Sequence, residues 1–281
     1  MALTNFTPVL WADAILDTFE NSHVLASLCN RDYEGTISGY GDSVKINSIA
    51  NITIGDYTKD STTLTRQNLV AAQTILLIDN AKYFDFEIDD IDKAQNNPKV
   101  MAKAMRKGAW GFSDTVDAAI AGLYGSAGTT VTDATMDSDL ALDTIARTAQ
   151  ALNVANVPSA GRWLVLPPWA ITKLLLAKLI NTEGVDNTMT FNNGLVGTMM
   201  GFTVHMSNNL TQTGTDPDFT TYGLAGTEDA ITFAEQIVSV EAYRPEGAFS
   251  DAVKALYVYG YKVVQPLGLV QLALTYTAET T

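Results

Sequence analysis

Near its C-terminus the chain reads Glu228-Asp229-Ala230-Ile231-Thr232-Phe233-Ala234-Glu235-Gln236, then Val240-Glu241-Ala242-Tyr243-Arg244-Pro245-Glu246. Phe249-Ser250-Asp251-Ala252-Val253 and Leu256-Tyr257-Val258-Tyr259-Gly260-Tyr261-Lys262-Val263-Val264-Gln265-Pro266 follow. β-Branched and aromatic residues fill 237–243 and 256–264, which predicts two strands. Arg244-Pro245-Glu246-Gly247 breaks them, because Pro fixes φ and Gly frees it. Nothing in this stretch is a nucleophile, a general base or a metal-ligand set.

Working outward, Phe84, Phe86 and Ile88 alternate with Asp85, Glu87 and Asp89. That period of two predicts a half-buried strand with one acidic face. Pro98 is placed to open a helix over about 98–124. Met101, Met105, Phe112, Val116, Ile120 and Leu123 recur at helical spacing and form one apolar stripe, and Gly125 and Gly128 end it. Residues 36–80 are rich in Thr, Ile, Val, Ser and Asn, with glycines as punctuation. Val44 and Ile46 flank Lys45, Ile52 and Ile54 flank Thr53, and residues 74–78 read as a returning strand. A two-stranded ribbon of this length is marginal alone in water and needs a surface to lie on.

Residues 9–29 read as a short amphipathic helix. Asp137-Ser138-Asp139 offers a cap to a helix with Leu142, Ile145, Ala149 and Leu152 on one side, stopped by Pro158. Residues 162–166 and 202–206 read as strands, and Pro167-Pro168 starts a helix bearing Ile171, Leu174, Leu175 and Leu179. Helices and strands mix without regular βαβ alternation, so the class is α+β. No internal repeat or low-complexity linker divides the chain, so two lobes interleaved in sequence are expected.

The 281 residues carry a formal net charge of −14, which argues against a free-standing DNA-binding protein that relies on Lys and Arg at phosphates. The single cysteine, Cys29, excludes an intrachain disulfide and reads as a buried thiol. No charged n-region of a signal peptide is visible, and no run reaches the roughly 18 apolar residues of a membrane span.

Catalytic chemistry finds little support. His23 and His205 are the two histidines, and neither stands in a nucleophile motif. His205 lies in a strand-like context. The acidic residues Asp85, Glu87, Asp89, Asp90 and Asp92 lack calcium-loop spacing and read as a solvated or intersubunit face. Gly39-Tyr40-Gly41 lacks the third glycine of a dinucleotide fingerprint, and no phosphate loop occurs. No catalytic, cofactor or metal residue is assigned. Lys99, Lys103 and Lys107 form an i, i+4 row with Arg106 beside it, at a helix start where cations oppose the dipole. It is either a solvated face or one compensated by a neighbour's carboxylates. Trp11, Trp110, Trp163 and Trp169 read as core or interface anchors.

The order of these pieces resembles the major capsid proteins of tailed bacteriophages with the Hong Kong-97 type of fold. The C-terminal stretches carry the likeness first. Val24-Leu25-Ala26 through Asn30-Arg31-Asp32-Tyr33-Glu34-Gly35, then Gly41-Asp42-Ser43-Val44-Lys45-Ile46, resembles the N-terminal arm running into an extended loop. Asp56-Tyr57-Thr58 falls toward the loop's far end. Lys82-Tyr83-Phe84-Asp85-Phe86-Glu87-Ile88-Asp89-Asp90-Ile91-Asp92-Lys93-Ala94-Gln95 resembles the return strand and entry to a spine helix. The likeness is weakest over 129–229.

The resemblance implies an arm (1–35), an extended loop (36–80), a peripheral lobe with the spine helix (81–135), a mainly axial lobe (136–229) and C-terminal strands returning to both lobes (230–281). It implies a virion protein that joins copies of itself as hexamers and pentamers on an icosahedral shell around double-stranded DNA, with no membrane partner and no sequence-specific DNA contact. Assembly in the host cytoplasm, a portal and a separate scaffolding protein are expected, since the arm is reached by Val24 with no room before it for a built-in scaffold. Expected intersubunit contacts are Ile52, Ile54, Asp56 and Tyr57 toward the loop tip, Lys99, Lys103, Arg106 and Lys107 on the spine helix, and Arg244 at the C-terminal turn. An encapsulin-like compartment shell, another virion or tail protein, and a metal-dependent hydrolase using the acidic cluster are the rival readings.

Overall fold

The computed structural model describes residues 24–33, 40–49, 52, 54, 56, 58, 59, 66, 71–89, 99–133, 141–176, 195–215, 218–247 and 249–276. The strands in chain order are β1 (Ser43–Ile49), β2 (Ala71–Leu77), β3 (Asn80–Asp89), β4 (Thr129–Asp133), β5 (Arg162–Leu166) and β6 (Leu195–Met199). They continue as β7 (Phe202–Met206), β8 (Gln212–Thr215), β9 (Asp218–Thr227), β10 (Ile231–Tyr243), β11 (Ser250–Val263) and β12 (Leu269–Tyr276). Among the described residues the helices are α1 (Lys99–Ala121), α2 (Ala141–Val154) and α3 (Pro168–Leu176). The class is α+β.

The strands form three sheets. β1 and β2 make an antiparallel ribbon, β10-β11-β3 an antiparallel sheet of three, and β4-β12-β9-β5-β7-β6 the path of a seven-stranded mixed sheet, with β8 on β9. The two C-terminal strands are longer than their aromatic runs suggested: β10 begins at Ile231 and β11 at Ser250. The extra length comes from pairing, since Ile231 faces Val263 and Ser250 faces Asp89.

The stripe on α1 is buried as its spacing predicts, at Met105, Phe112, Val116 and Ile120. The helix ends at Ala121, and a 3-10 turn (Gly122–Ser126) carries the chain on past Leu123. α1 lies on one face of the three-stranded sheet through packed rings: Phe84 is tilted against Phe112 at 5.1 Å, and Phe112 stacks on Tyr257 at 5.2 Å. Gly108 makes this approach possible, because a Cβ there would meet the Phe84 ring at 2.9 Å.

The same core runs on to Trp163, Val165, Leu224 and Leu269, the α1-facing side of the seven-stranded sheet. The opposite side of that sheet forms a second core. There Leu164, Leu166, Phe202, Val204, Leu272 and Leu274 meet Ile145 and Leu152 of α2 and Ile171 and Leu174 of α3. Leu142, expected on that apolar side, is instead 39% exposed: it sits in the first turn of α2, off the core. α2 ends where Asn156 takes a left-handed conformation, φ 57°.

The chain crosses from one sheet to the other repeatedly. β9 leads into β10 through the turn Glu228–Ala230, and β11 returns to β12 through Pro266–Gly268. The crossings touch: the Val264 N–H donates to the Ala230 carbonyl at 2.9 Å, and the Gly128 N–H donates to the Pro266 carbonyl at 2.8 Å.

Candidate assembly surfaces

The ribbon sits on the reverse of the three-stranded sheet, the side away from α1. Its inner residues Ile46, Leu76 and Ile78 are buried against Ala234 of β10 and Val258 of β11. Gly260 lets the two backbones touch, since a Cβ there would lie 2.3 Å from the Leu77 carbonyl oxygen. Lys262 donates to the Ile75 carbonyl at 2.9 Å and ties ribbon to sheet. The strand stops at Ile49, so the alternation at Ile52 and Ile54 does not extend β1 to those positions. Ile52 is 65% exposed and Ile54 94% exposed. Asp56 is exposed as well, as are Lys59 and Arg66. Tyr57 lies outside the described residues.

On α1, Lys103, Arg106 and Lys107 share the solvent face, and among the described residues none of them makes an ion pair. Lys99 is the first residue of the helix. Trp110, 60% exposed, continues the row one turn on. Helical spacing from Arg106 and Lys107 puts it beside them, and that signal was available in the sequence. Arg244 is exposed just after β10, at the turn into β11.

The part of the three-stranded sheet's reverse face that the ribbon leaves uncovered is acidic and aromatic. Tyr83 of β3 is 78% exposed and faces Leu256 of β11 across the ladder. Asp85 and Glu241 both face Lys254. Lys254 bonds Glu241 at 2.8 Å and lies 5.3 Å from the centre of the Tyr243 ring. The Tyr243 hydroxyl donates to Asp85 at 2.8 Å, and Ser250 donates to Glu87 at 3.2 Å. Hydrogen bonding to Asp85 pushes the Tyr243 phenol up, and Glu241 pushes the Lys254 ammonium up.

Residues 24–33 form a strap between α1 and β10. The expected helix over 9–29 lies mostly outside the described residues, and its described end is a single 3-10 turn (Ala26–Leu28). Asp117 of α1 accepts the Val24 N–H at 3.3 Å. Burial pushes its carboxyl up to about 6, against the backbone N–H groups of Val24, Ala26 and Leu25, which favour the ionised form. Its other oxygen is buried with no partner among the described residues. Farther along, Asn30 pairs with Thr232. Arg31 bonds Glu235, which also accepts from Tyr257. Burial, then the nearby Glu235, pushes the Tyr257 phenol well up. Asp117 and Glu235 were not singled out from sequence. A carboxylate inside the apolar stripe of α1 was the one available sign of the first.

The remaining reactive groups are quiet. Cys29 is buried, donates to the Leu25 carbonyl, and its thiol is pushed far up by burial. His205 is held below its usual range by burial in β7. Among the described residues no three His, Cys, Asp or Glu side chains are grouped to hold a metal. No helix among them is long and apolar enough to cross a membrane.

A family model described as phage capsid protein matches residues 73–272. A solved structure from Mycobacterium phage Che8 is 33% identical, with TM-score 0.74, covering 96% of this chain and 98% of the other. The capsid of cyanophage P-SCSP1u shares the fold at 17% identity and TM-score 0.69, over 93% and 88% of the two chains. A virus-like particle from Pyrococcus furiosus shares it at 13% identity and TM-score 0.57, over 92% and 96%. The comparison with curated proteins gives no match. With the family matched over most of its length and a relative one-third identical along nearly all of it, the chain belongs to the phage capsid protein family, whose members build the shell of the virion.

Proposed function

We propose that the chain is the major capsid protein of a tailed phage, assembling through hexamers and pentamers into an icosahedral shell around double-stranded DNA. The observation that carries this reading is the family match over residues 73–272. The partners are copies of itself, a separate scaffolding protein and a portal, and assembly takes place in the host cytoplasm. We divide the chain as the resemblance implies, into arm, extended loop, peripheral lobe, axial lobe and returning C-terminal strands. The separate three-stranded and seven-stranded sheets, the first under α1 and the second also packed by α2 and α3, support the two lobes. The action is structural, with no catalytic step assigned.

The contacts we propose are the ribbon tip at Ile52, Ile54, Asp56 and Tyr57, the row Lys99, Lys103, Arg106 and Lys107, and Arg244. The exposure of Ile52 and Ile54 supports the first, since isoleucines gain little from solvent and much from a neighbour. Electron microscopy of particles assembled with and without co-expressed phage proteins tests the function. Closed shells of one size with the scaffold, and mixed or aberrant particles without it, are expected. A compartment filled with protein cargo in place of DNA points to the encapsulin-like alternative, which shares the fold. Soluble monomers under all conditions overturn the proposal.

A further inference from the structure

We propose that neighbouring copies join head to tail within a ring, the basic face of α1 on one copy seating on the acidic, aromatic reverse face of the three-stranded sheet of the next. This rests on the shell reading above and names the partner surface of the basic row.

The two surfaces are complementary in charge and shape of chemistry. Lys103, Arg106 and Lys107 stand exposed beside Trp110, with no ion pair among the described residues. The sheet face offers Asp85, Glu87 and Glu241 around Lys254, with Tyr83 exposed beside Leu256. Its carboxylates are already held in place, Asp85 by Tyr243 and Glu87 by Ser250. Guanidinium and ammonium groups pair with such carboxylates and stack on aromatic faces. Trp110 supplies the large aromatic anchor typical of interface centres.

The fold sets the direction of the contact. α1 covers one face of the sheet, through Phe84, Phe112 and Tyr257. The acidic face is the reverse of that same sheet, carried by the alternate residues of β3, β10 and β11. The two surfaces therefore point away from each other across one sheet and one helix. A contact between unlike surfaces of the same chain is heterologous, and it closes into a ring where the rotation from copy to copy closes and runs on as a filament where it does not. Two-fold pairing of either surface with itself sets like charge on like.

Charge reversal in the full chain tests this. Lys103→Glu/Lys107→Glu reverses the helix face, and Asp85→Lys/Glu87→Lys reverses the sheet face. Each alone is expected to lower shell yield at least tenfold, with helix content and subunit melting retained. An equal mixture is the sharper measurement. In an alternating ring of six, every helix-to-sheet junction is again matched, whereas a ring of five must keep one mismatch. Recovery of six-membered rings without five-membered ones is expected. Trp110→Ser reads the same contact without changing charge and is expected to lower ring yield several-fold. Normal assembly of the folded single reversals, no recovery in the mixture, or no effect of Trp110→Ser overturns the pairing. So does a helix-face variant that closes normal shells and fails only to retain DNA, which assigns the basic row to nucleic acid. Wild-type chain that forms no shell under any condition counts against the function itself, not the pairing.

Discussion

The two sheets of this protein meet solvent in opposite ways. The seven-stranded sheet has helices α2 and α3 over one side and the α1 core over the other, and its large apolar residues are nearly all inside. The three-stranded sheet has α1 on one side only. Its reverse is half covered by the ribbon, and Tyr83, Leu256 and Tyr243 remain exposed there, as do Ile75 and Leu77 on the ribbon itself. One region is finished by its own chain. The other is built with surfaces that a single copy leaves open, which is what a subunit of a shell requires.

Substitutions can break that contrast. The largest effect on the subunit belongs to the seven-stranded core: Phe202→Ala removes a fully buried ring and is expected to cost about 3–5 kcal/mol in urea unfolding. A loss under 1 kcal/mol would mean that this region is not the finished core described. Next comes the seat of the ribbon. Gly260→Ala drives a methyl into the Leu77 carbonyl and is expected to cost about 1–3 kcal/mol. It should also speed tryptic cleavage after Lys59 and Arg66.

Asp117 gives a titration of intermediate size. Its carboxyl sits near 6 in the fold, above the ordinary value of 3.8. The ionised form is thus disfavoured by folding. This group's penalty is absent below the unfolded value and grows as pH rises through about 4 to 6. Asp117→Asn is expected to flatten the stability profile over that window, measured as melting temperature against pH. A profile unchanged by the substitution removes Asp117 from the account.

Smallest on the subunit, and largest on the particle, is Ile54→Ser. A residue so exposed should change subunit stability by less than about 0.5 kcal/mol. If the ribbon tip clamps a neighbour, shells of this variant should lose protection at Lys59 and Arg66, whereas wild-type shells slow trypsin strongly relative to free subunits. Equal cleavage of free and assembled wild type sinks the clamp.

The elements legible in the sequence were those with one wet face. Phe84 and Phe86 alternate with exposed Asp85 and Glu87 because β3 is half-buried, and the stripe of α1 shows because its other side meets water. β5 and β7 were bounded by turn residues and read to their ends. β9 and β12 were missed for the opposite reason. Leu269–Tyr276 is buried on both faces for most of its length and shows no alternation. In Asp218–Thr227, Gly223 and Gly226 stand where backbones approach: a Cβ would lie 3.0 Å from the Val165 carbonyl and 2.7 Å from the Gly268 carbonyl. Glycines chosen for proximity read as loop in a single sequence. Of the surfaces, the basic row was visible as a charge pattern. The face that includes Tyr83, Leu256 and Glu241 was not, because those residues lie far apart in the chain and register alone brings them together.

The crossings between the sheets have a mechanical meaning. A wall under pressure from within is stretched in its own plane, and a subunit of two sheets would yield first at the seam between them. Here the chain spans that seam several times, at the turn after α1, between β9 and β10, and between β11 and β12. β12 lies between β4 and β9, hydrogen-bonded to both along most of its length. A pull on the Pro266–Gly268 turn directed along β12 loads those two ladders together in shear, not one bond at a time. The seam resists as a riveted lap joint does, by sharing tension among fasteners loaded in parallel.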